Sequence, residues 1–351
     1  MQSKRKNEIS YLNVIFCLFV IFIHIVSYAV SSFEYGSFKY NAVMFPWRMV
    51  SIVVPGFIML SGVKMFLTHK DETGYFKYIL SRIKGIILPY TFCFVCYYLF
   101  YMAAYDYPLD AEFIFDAYIH GSLACHFYFI PLLFQFDLLF PLWKRVINKV
   151  NPAIVLPLSF LLTSLFAIYF PNMISVISPE TPFIYNDRFF MTYLCYWIMG
   201  CYIGKYYDKF CEMLKANFRA ICVIFGMIFA MFLFFTYHAF NYITYIPYMN
   251  YVHDLYTVCS ILFLYAIFVR FPVKMPKFVS HIDRASFNIY LWHMLLVLVA
   301  DHIISRFSIT AQGLAFGIRF VLAYLVTIPL CVAYTYLKNR VKTALVSKKT
   351  S

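Results

Sequence analysis

Charged side chains are scarce in this sequence. Asp, Glu, Lys and Arg make up only 13% of its 351 residues, against 63% hydrophobic residues and a mean hydropathy of +0.73. A soluble domain needs a polar shell over its core, and this composition cannot supply one. Backbone amides cannot stay unpaired in hydrocarbon, which leaves helices or a closed barrel as spanning structures. The apolar runs are long and lack the two-residue alternation of barrel strands, so an all-α integral membrane protein is predicted. Also lacking are a Walker loop, a GxGxxG turn, a zinc-spaced cluster, an obvious repeat and a low-complexity tract. No metal site is predicted, and residues 1–351 read as a single transmembrane domain.

Acidic residues are the scarcest charges, 16 against 29 Lys and Arg, for a formal net charge of +13. In a soluble chain that excess would suggest nucleic acid, but in a membrane protein the positive-inside rule is tested first. A span needs about 20 apolar residues. On that basis, spans fall near Ile9–Val30, Val43–Leu67, Ile83–Ala104, Phe127–Val146, Ala153–Phe170, Phe189–Tyr206, Phe218–Tyr237, Leu255–Phe271, Ser286–Ile304 and Gln312–Leu337. With a cytoplasmic N-terminus, 24 of the 29 Lys and Arg lie on inner segments, leaving only Lys39, Arg48, Arg188, Arg306 and Arg319 outside. The basic excess therefore predicts a bilayer partner, no nucleic acid, and a ten-transmembrane-helix bundle with both termini cytoplasmic. Lys4, Arg5 and Lys6 before an apolar run imitate a signal peptide, yet the run to Val30 is too long, so an uncleaved first helix is expected. Asp106, Asp110, Glu112 and Asp116 make the loop after the third span an acidic external segment. Cys17, Cys93, Cys96, Cys222, Cys259 and Cys331 lie in apolar runs, where a thiol behaves as a small hydrophobe.

A titratable group inside a span costs about 2.5–3.5 kcal/mol on insertion scales, so each one points to a function or to a hydrogen bond with a neighbouring helix. His24, Asp137 and His293 are the three that stand out. Counted from Ile9, His24 sits ~22 Å up its helix, and Asn13 shares its face ~16 Å closer to the cytoplasm. Ser286, Tyr290 and His293 follow i, i+4, i+7 spacing and form a second polar stripe, which places His293 only ~12 Å from the inner boundary. Asp137 requires a cation or His as partner, which the sequence does not identify. Gly200 and Gly204 have the GxxxG spacing of close helix packing.

Several segments resemble acyltransferase family 3, ten-helix membrane enzymes that acylate cell-envelope sugars and related acceptors. YLNVIFCLFVIFIHIV resembles the family's first helix: His24 matches its His, whereas Asn13 stands at the position of its Arg. PGFIMLSGVKMF is similar to its second helix. In SRIKGIILPY, Arg82 matches the first Arg of an RxxR pattern, Gly85 replaces the second, and Lys84 lies between them. HFYFIPLLFQFDLLFP, YWIMGCYIGKYY and SFNIYLWHMLL resemble the fourth, sixth and ninth helices, the last carrying Tyr290 and His293. RIKGIILPY and CYIGKYYDKF are closest to the subgroup that modifies the poly-N-acetylglucosamine intercellular adhesin, for which succinyl transfer is proposed.

The resemblance implies transfer of an acetyl or succinyl group from cytoplasmic acyl-CoA, a co-substrate, to a hydroxyl of a cell-envelope glycan. The setting would be the bacterial cytoplasmic membrane, with a polysaccharide synthase complex as a further partner. His24 then serves as general base for the acceptor, with His293, Tyr290 and Asn13 around the reacting groups, and Arg82 and Lys84 meet the donor's phosphates at the cytoplasmic mouth. As bare sequence features, Arg82 and Lys84 read equally as topology anchors. Two other functions suit the same features: a transporter or flippase for a glycan or lipid-linked sugar, and a catalytically degenerate member that scaffolds a synthase. Reporters fused after Lys70, Lys149, Lys215 and Lys277 should be cytoplasmic, and those after Asp110, Glu180, Asn250 and Ser308 external. One external signal from the first four would break the ten-helix topology.

Overall fold

The computed structural model describes residues 6–68, 74–177, 185–242, 246 and 249–350. Lys4, Arg5, Lys70 and Glu180, used in the topology argument, lie outside the described residues. In chain order the helices are α1 (Asn7–Ser32), α2 (Phe38–Met49), α3 (Val53–Thr68), α4 (Tyr75–Arg82), α5 (Leu88–Tyr105), α6 (Ala111–His120), α7 (Phe129–Leu138) and α8 (Phe140–Lys149). They continue as α9 (Pro152–Ile177), α10 (Leu194–Lys205), α11 (Tyr207–Ala216), α12 (Phe218–Asn241), α13 (Met249–Arg270), α14 (Lys277–Arg306), α15 (Gln312–Phe320) and α16 (Thr327–Thr350). Among the described residues there is no strand, so the all-α reading holds.

Single 3-10 or π turns join α2 to α3, α4 to α5 and α15 to α16 into continuous rods. With these joined, eight helical stretches are long and apolar enough to cross a membrane: 7–32, 38–68, 75–105, 152–174, 218–241, 249–270, 277–306 and 312–341. The fourth and sixth expected spans are missing from that set because neither is one helix. Phe127–Val146 breaks at Leu139, between α7 and α8. Pro141 has no N–H to give and its ring collides with the carbonyl four residues back, so the helix restarts there. Phe189–Tyr206 begins as 3-10 turns at Asn186–Arg188 and Phe190–Tyr193 before the 12-residue α10, which is only ~18 Å long. The acidic loop contains α6, capped by Asp110, whose carboxylate accepts from the backbone N–H of Glu112 and Phe113.

The chain forms two compact units, residues 54–210 and the remainder. In the larger unit α14 packs against both α1 and α16, and α12 against α13. Asn13 reaches Asp283, and Tyr28 reaches Asp301, so α1 and α14 run parallel, with sequence offsets of 270 and 273 at the two contacts. In the smaller unit α10 is the inner helix, with Leu194 through Ile198 and Gly200 through Gly204 all buried. Trp197 stacks on Phe136 at 4.4 Å. The GxxxG spacing does what was expected of it. A Cβ on Gly200 would lie 2.1 Å from the Met59 carbonyl oxygen, and one on Gly204 2.5 Å from that of Val63, so only glycine permits α3 and α10 to touch backbone to backbone.

Gly200→Ala should therefore cost about 1–3 kcal/mol through forced separation of the two backbones. Gly226→Ala is the control, because a Cβ at that position meets nothing within 4 Å. A thermal melt in detergent that shows equal effects for the two would refute this account of the packing.

Candidate active site

The two intramembrane histidines lie side by side in the larger unit. His24 on α1 and His293 on α14 have ring centroids 5.3 Å apart, and His293 is fully buried. Their depths match because α14 begins at Lys277, nine residues before the Ser286 start expected from hydropathy. His293 is thus ~24 Å from its helix start and His24 ~26 Å from its own. The two rings are therefore level, which replaces the unequal depths of ~22 Å and ~12 Å counted from the sequence.

His293 Nδ1 lies 2.7 Å from the Tyr290 carbonyl oxygen and 3.2 Å from that of Ile289. A carbonyl only accepts, so Nδ1 carries the proton and Nε2 of the neutral ring keeps its lone pair. The helix itself thereby fixes the tautomer. Tyr290 is buried with its ring 6.0 Å from that of His293.

Asn13, expected on the His24 face, is buried one layer below. Its Nδ2 donates to Asp283 Oδ1 and to Ser286 Oγ, each at 2.8 Å, while Ser286 donates to the Asp283 carbonyl. Asp283 was missed because the hydropathy boundary at Ser286 left it in a loop. Above the histidines, Asp301 accepts from Tyr28 at 2.6 Å and from Arg319 Nε at 2.7 Å, with the Arg319 guanidinium 4.1 Å from the Tyr28 ring centroid. Three polar layers therefore lie along one α1–α14 seam.

A further cluster in this unit joins α13 to the end of α2. His253 Nε2 is 2.6 Å from Ser51 Oγ, and Ser51 donates to the Arg48 carbonyl. The Arg48 guanidinium sits over the Phe240 ring at 5.1 Å, and its buried Nε makes no hydrogen bond among the described residues. Arg48 was visible as a stray cation in the second span. His253 was not, because the eighth span was started at Leu255 whereas α13 starts at Met249.

Arg82 and Lys84 belong to the smaller unit. Asp137 is fully buried there, and its partners are now identified: Arg82 Nε donates to Oδ2 at 2.7 Å and the Tyr78 hydroxyl to Oδ1 at 2.5 Å. Lys84 is exposed on the π turn that follows α4. Arg82 therefore has a structural task, pairing with the buried Asp137.

The sequence profile described as an acyltransferase domain, acyltransferase family 3, matches residues 6–336. A Staphylococcus aureus protein, provisionally named a poly-beta-1,6-N-acetyl-D-glucosamine export protein, is 24% identical over 304 residues, 84% of this chain and 83% of that one. A Bacillus subtilis protein, provisionally named the membrane-bound acyltransferase YfiQ, is 26% identical over 306 residues, 83% of this chain and 81% of its own length. No solved structure matches. The chain belongs to acyltransferase family 3 and is a multi-pass membrane acyltransferase.

Removing Arg82 would leave a buried carboxylate uncompensated, a loss of about 3–5 kcal/mol for fully buried pairs and less here because Arg82 is 33% exposed. Arg82→Gln should lower the melting temperature, and Arg82→Gln with Asp137→Asn should recover most of the loss. A role in gripping the donor appears separately, as a higher half-saturating donor concentration that the second substitution does not repair.

Proposed function

We propose that this protein moves an acetyl or succinyl group from cytoplasmic acyl-CoA to a hydroxyl of a cell-envelope polysaccharide. It does so in the bacterial cytoplasmic membrane, as one ten-span domain with both termini inside. The observation that carries the reading is the histidine pair: two imidazoles side by side between α1 and α14, the buried one with its tautomer fixed by the helix. O-acyl transfer needs a base for the acceptor's hydroxyl proton and stabilisation of the developing oxyanion. His24 takes that proton as the hydroxyl oxygen attacks the thioester carbonyl. The C–O bond forms, the C–S bond breaks, and the thiolate leaves with the proton. His293 orients His24 and relays charge, Tyr290 donates a hydrogen bond beside them, and Asn13 holds α1 in register. Arg82 and Lys84 contribute positive charge for the donor's phosphates. The relative named for a poly-N-acetylglucosamine product supports a glycan acceptor, with a polysaccharide synthase as neighbour.

A second reading, glycan export, is favoured by the name of the Staphylococcus relative and by the interrupted helices at Leu139 and before Leu194. A third is that Asn13 and Gly85, at the family's Arg positions, mark a non-catalytic scaffold. Purified protein supplied with acetyl- or succinyl-CoA and an N-acetylglucosamine oligomer separates the three, because only the enzyme releases CoA thiol in step with ester formation. His24→Gln should lower that rate about 10²–10⁴-fold while the melting temperature and donor binding stay near those of the unsubstituted protein. His293→Gln should also slow it. Full activity in His24→Gln would sink the mechanism.

A further inference from the structure

An open cavity of about 480 Å³ lies between the N-terminal third of α14 and the middle of α16. Its lining includes His281, Arg284, Tyr336, Asn339 and Arg340. Among the described residues its lining has no Asp or Glu, and neither arginine forms an ion pair with a described carboxylate. Asp283, next to Arg284 in sequence, is turned the other way into the seam, where Asn13 holds it. The floor is ordered: Asn288 donates to Thr335 Oγ1 at 2.9 Å, and Thr335 donates to the Cys331 carbonyl. Arg340 sits 5.7 Å from the Tyr336 ring centroid, so one guanidinium is already braced against an aromatic face.

Two guanidinium forks, an imidazole, an amide and a phenol around one concavity select a ligand rich in anionic oxygens, and planar forks match phosphate with two hydrogen bonds each. The cavity is also within the size range of small-molecule sites. Its location narrows the ligand. On the proposed topology these helix ends are cytoplasmic. Arg284 is nine residues before His293 on the same helix, ~14 Å along the axis and within reach of an extended pantetheine arm.

We propose that this cavity binds the phosphates at the nucleotide end of acyl-CoA and so directs the thioester toward the His24–His293 pair. The inference rests on the acyl-CoA reading above, and it assigns the donor's phosphates to Arg284 and Arg340 in place of Arg82 and Lys84.

The test uses the full-length protein in detergent and in nanodiscs, with free CoA, 3′-dephospho-CoA and phosphatidylglycerol as probes. Arg284→Gln with Arg340→Gln should weaken CoA binding tenfold or more and erase the preference for CoA over dephospho-CoA. Arg284→Lys with Arg340→Lys keeps the charge that sets topology but loses the fork, and it should bind CoA several-fold more weakly with an unchanged melting temperature. CoA affinity within twofold of the unsubstituted protein in the Gln pair would overturn the proposal. So would loss of phosphatidylglycerol binding with CoA binding intact, which would make the cavity a lipid-headgroup site. Should the unsubstituted protein neither bind CoA nor consume acyl-CoA, the donor reading itself fails, an outcome distinct from failure of the variants alone.

Discussion

Both hydrogens of the Asn13 amide are committed to α14, one to Asp283 Oδ1 and one to Ser286 Oγ, and this bridge sets the register at which α1 lies along α14. In water such a bond contributes about 1 kcal/mol, but a buried carboxylate without donors in hydrocarbon would cost far more, so the alternative registers are what the bridge penalises. With the register fixed, an advance of eleven residues on α1 and ten on α14 brings His24 beside His293. A few residues further, Tyr28 reaches Asp301. A one-turn slip would strand all three layers together. At the family's Arg position, Asn13 thus still serves the acidic group that a cation would serve, but as a neutral donor, which leaves the net charge of that layer to Asp283.

The smaller unit solves the same problem with different means. Its buried carboxylate, Asp137, is satisfied by a guanidinium and a phenol rather than by an amide. Its helices gain their closest contact from absent side chains: Gly62 faces the Trp197 carbonyl just as Gly200 faces that of Met59, so backbone dispersion replaces interdigitated side chains. Because α10 is covered on all sides by protein, it need not reach across a lipid thickness by itself, which explains how a 12-residue helix is tolerated.

Hydropathy located most of the rods, because it follows from transfer energies that single residues report. What it misplaced were the ends. Lys277–Ala285 reads as a loop because it contains Lys277, His281, Asp283 and Arg284, yet it is helical, with Asp283 buried against Asn13. Val252 and His253 were lost in the same way. A polar residue at a helix end scores as water-facing, and only its partner, hundreds of residues away in sequence, shows that it is buried. The break at Leu139 was legible in principle from Pro141 but was outweighed by the apolar run around it. His24 and His293 were each visible as misfits. Their adjacency was not, since it depends on the register and on where α14 starts.

Interrupted helices are a mark of transporters, where unwound backbone lines a conduit. Here the interruptions have another explanation. Irregular backbone is tolerated at membrane depth when protein covers it, and Leu139 and the turns before α10 lie beside Phe136, Trp143, Phe190 and Trp197, a packed aromatic group with ring centroids 4.4–6.2 Å apart. The α1–α14 seam likewise lacks what a conduit needs, because Asn13, Asp283, Tyr290 and His293 are each at most 5% exposed. A seam whose polar groups are mostly buried and hydrogen-bonded to one another suits proton transfer better than passage of a sugar, because low dielectric strengthens each interaction with a developing charge. The chemistry of the seam therefore favours acyl transfer over conduction.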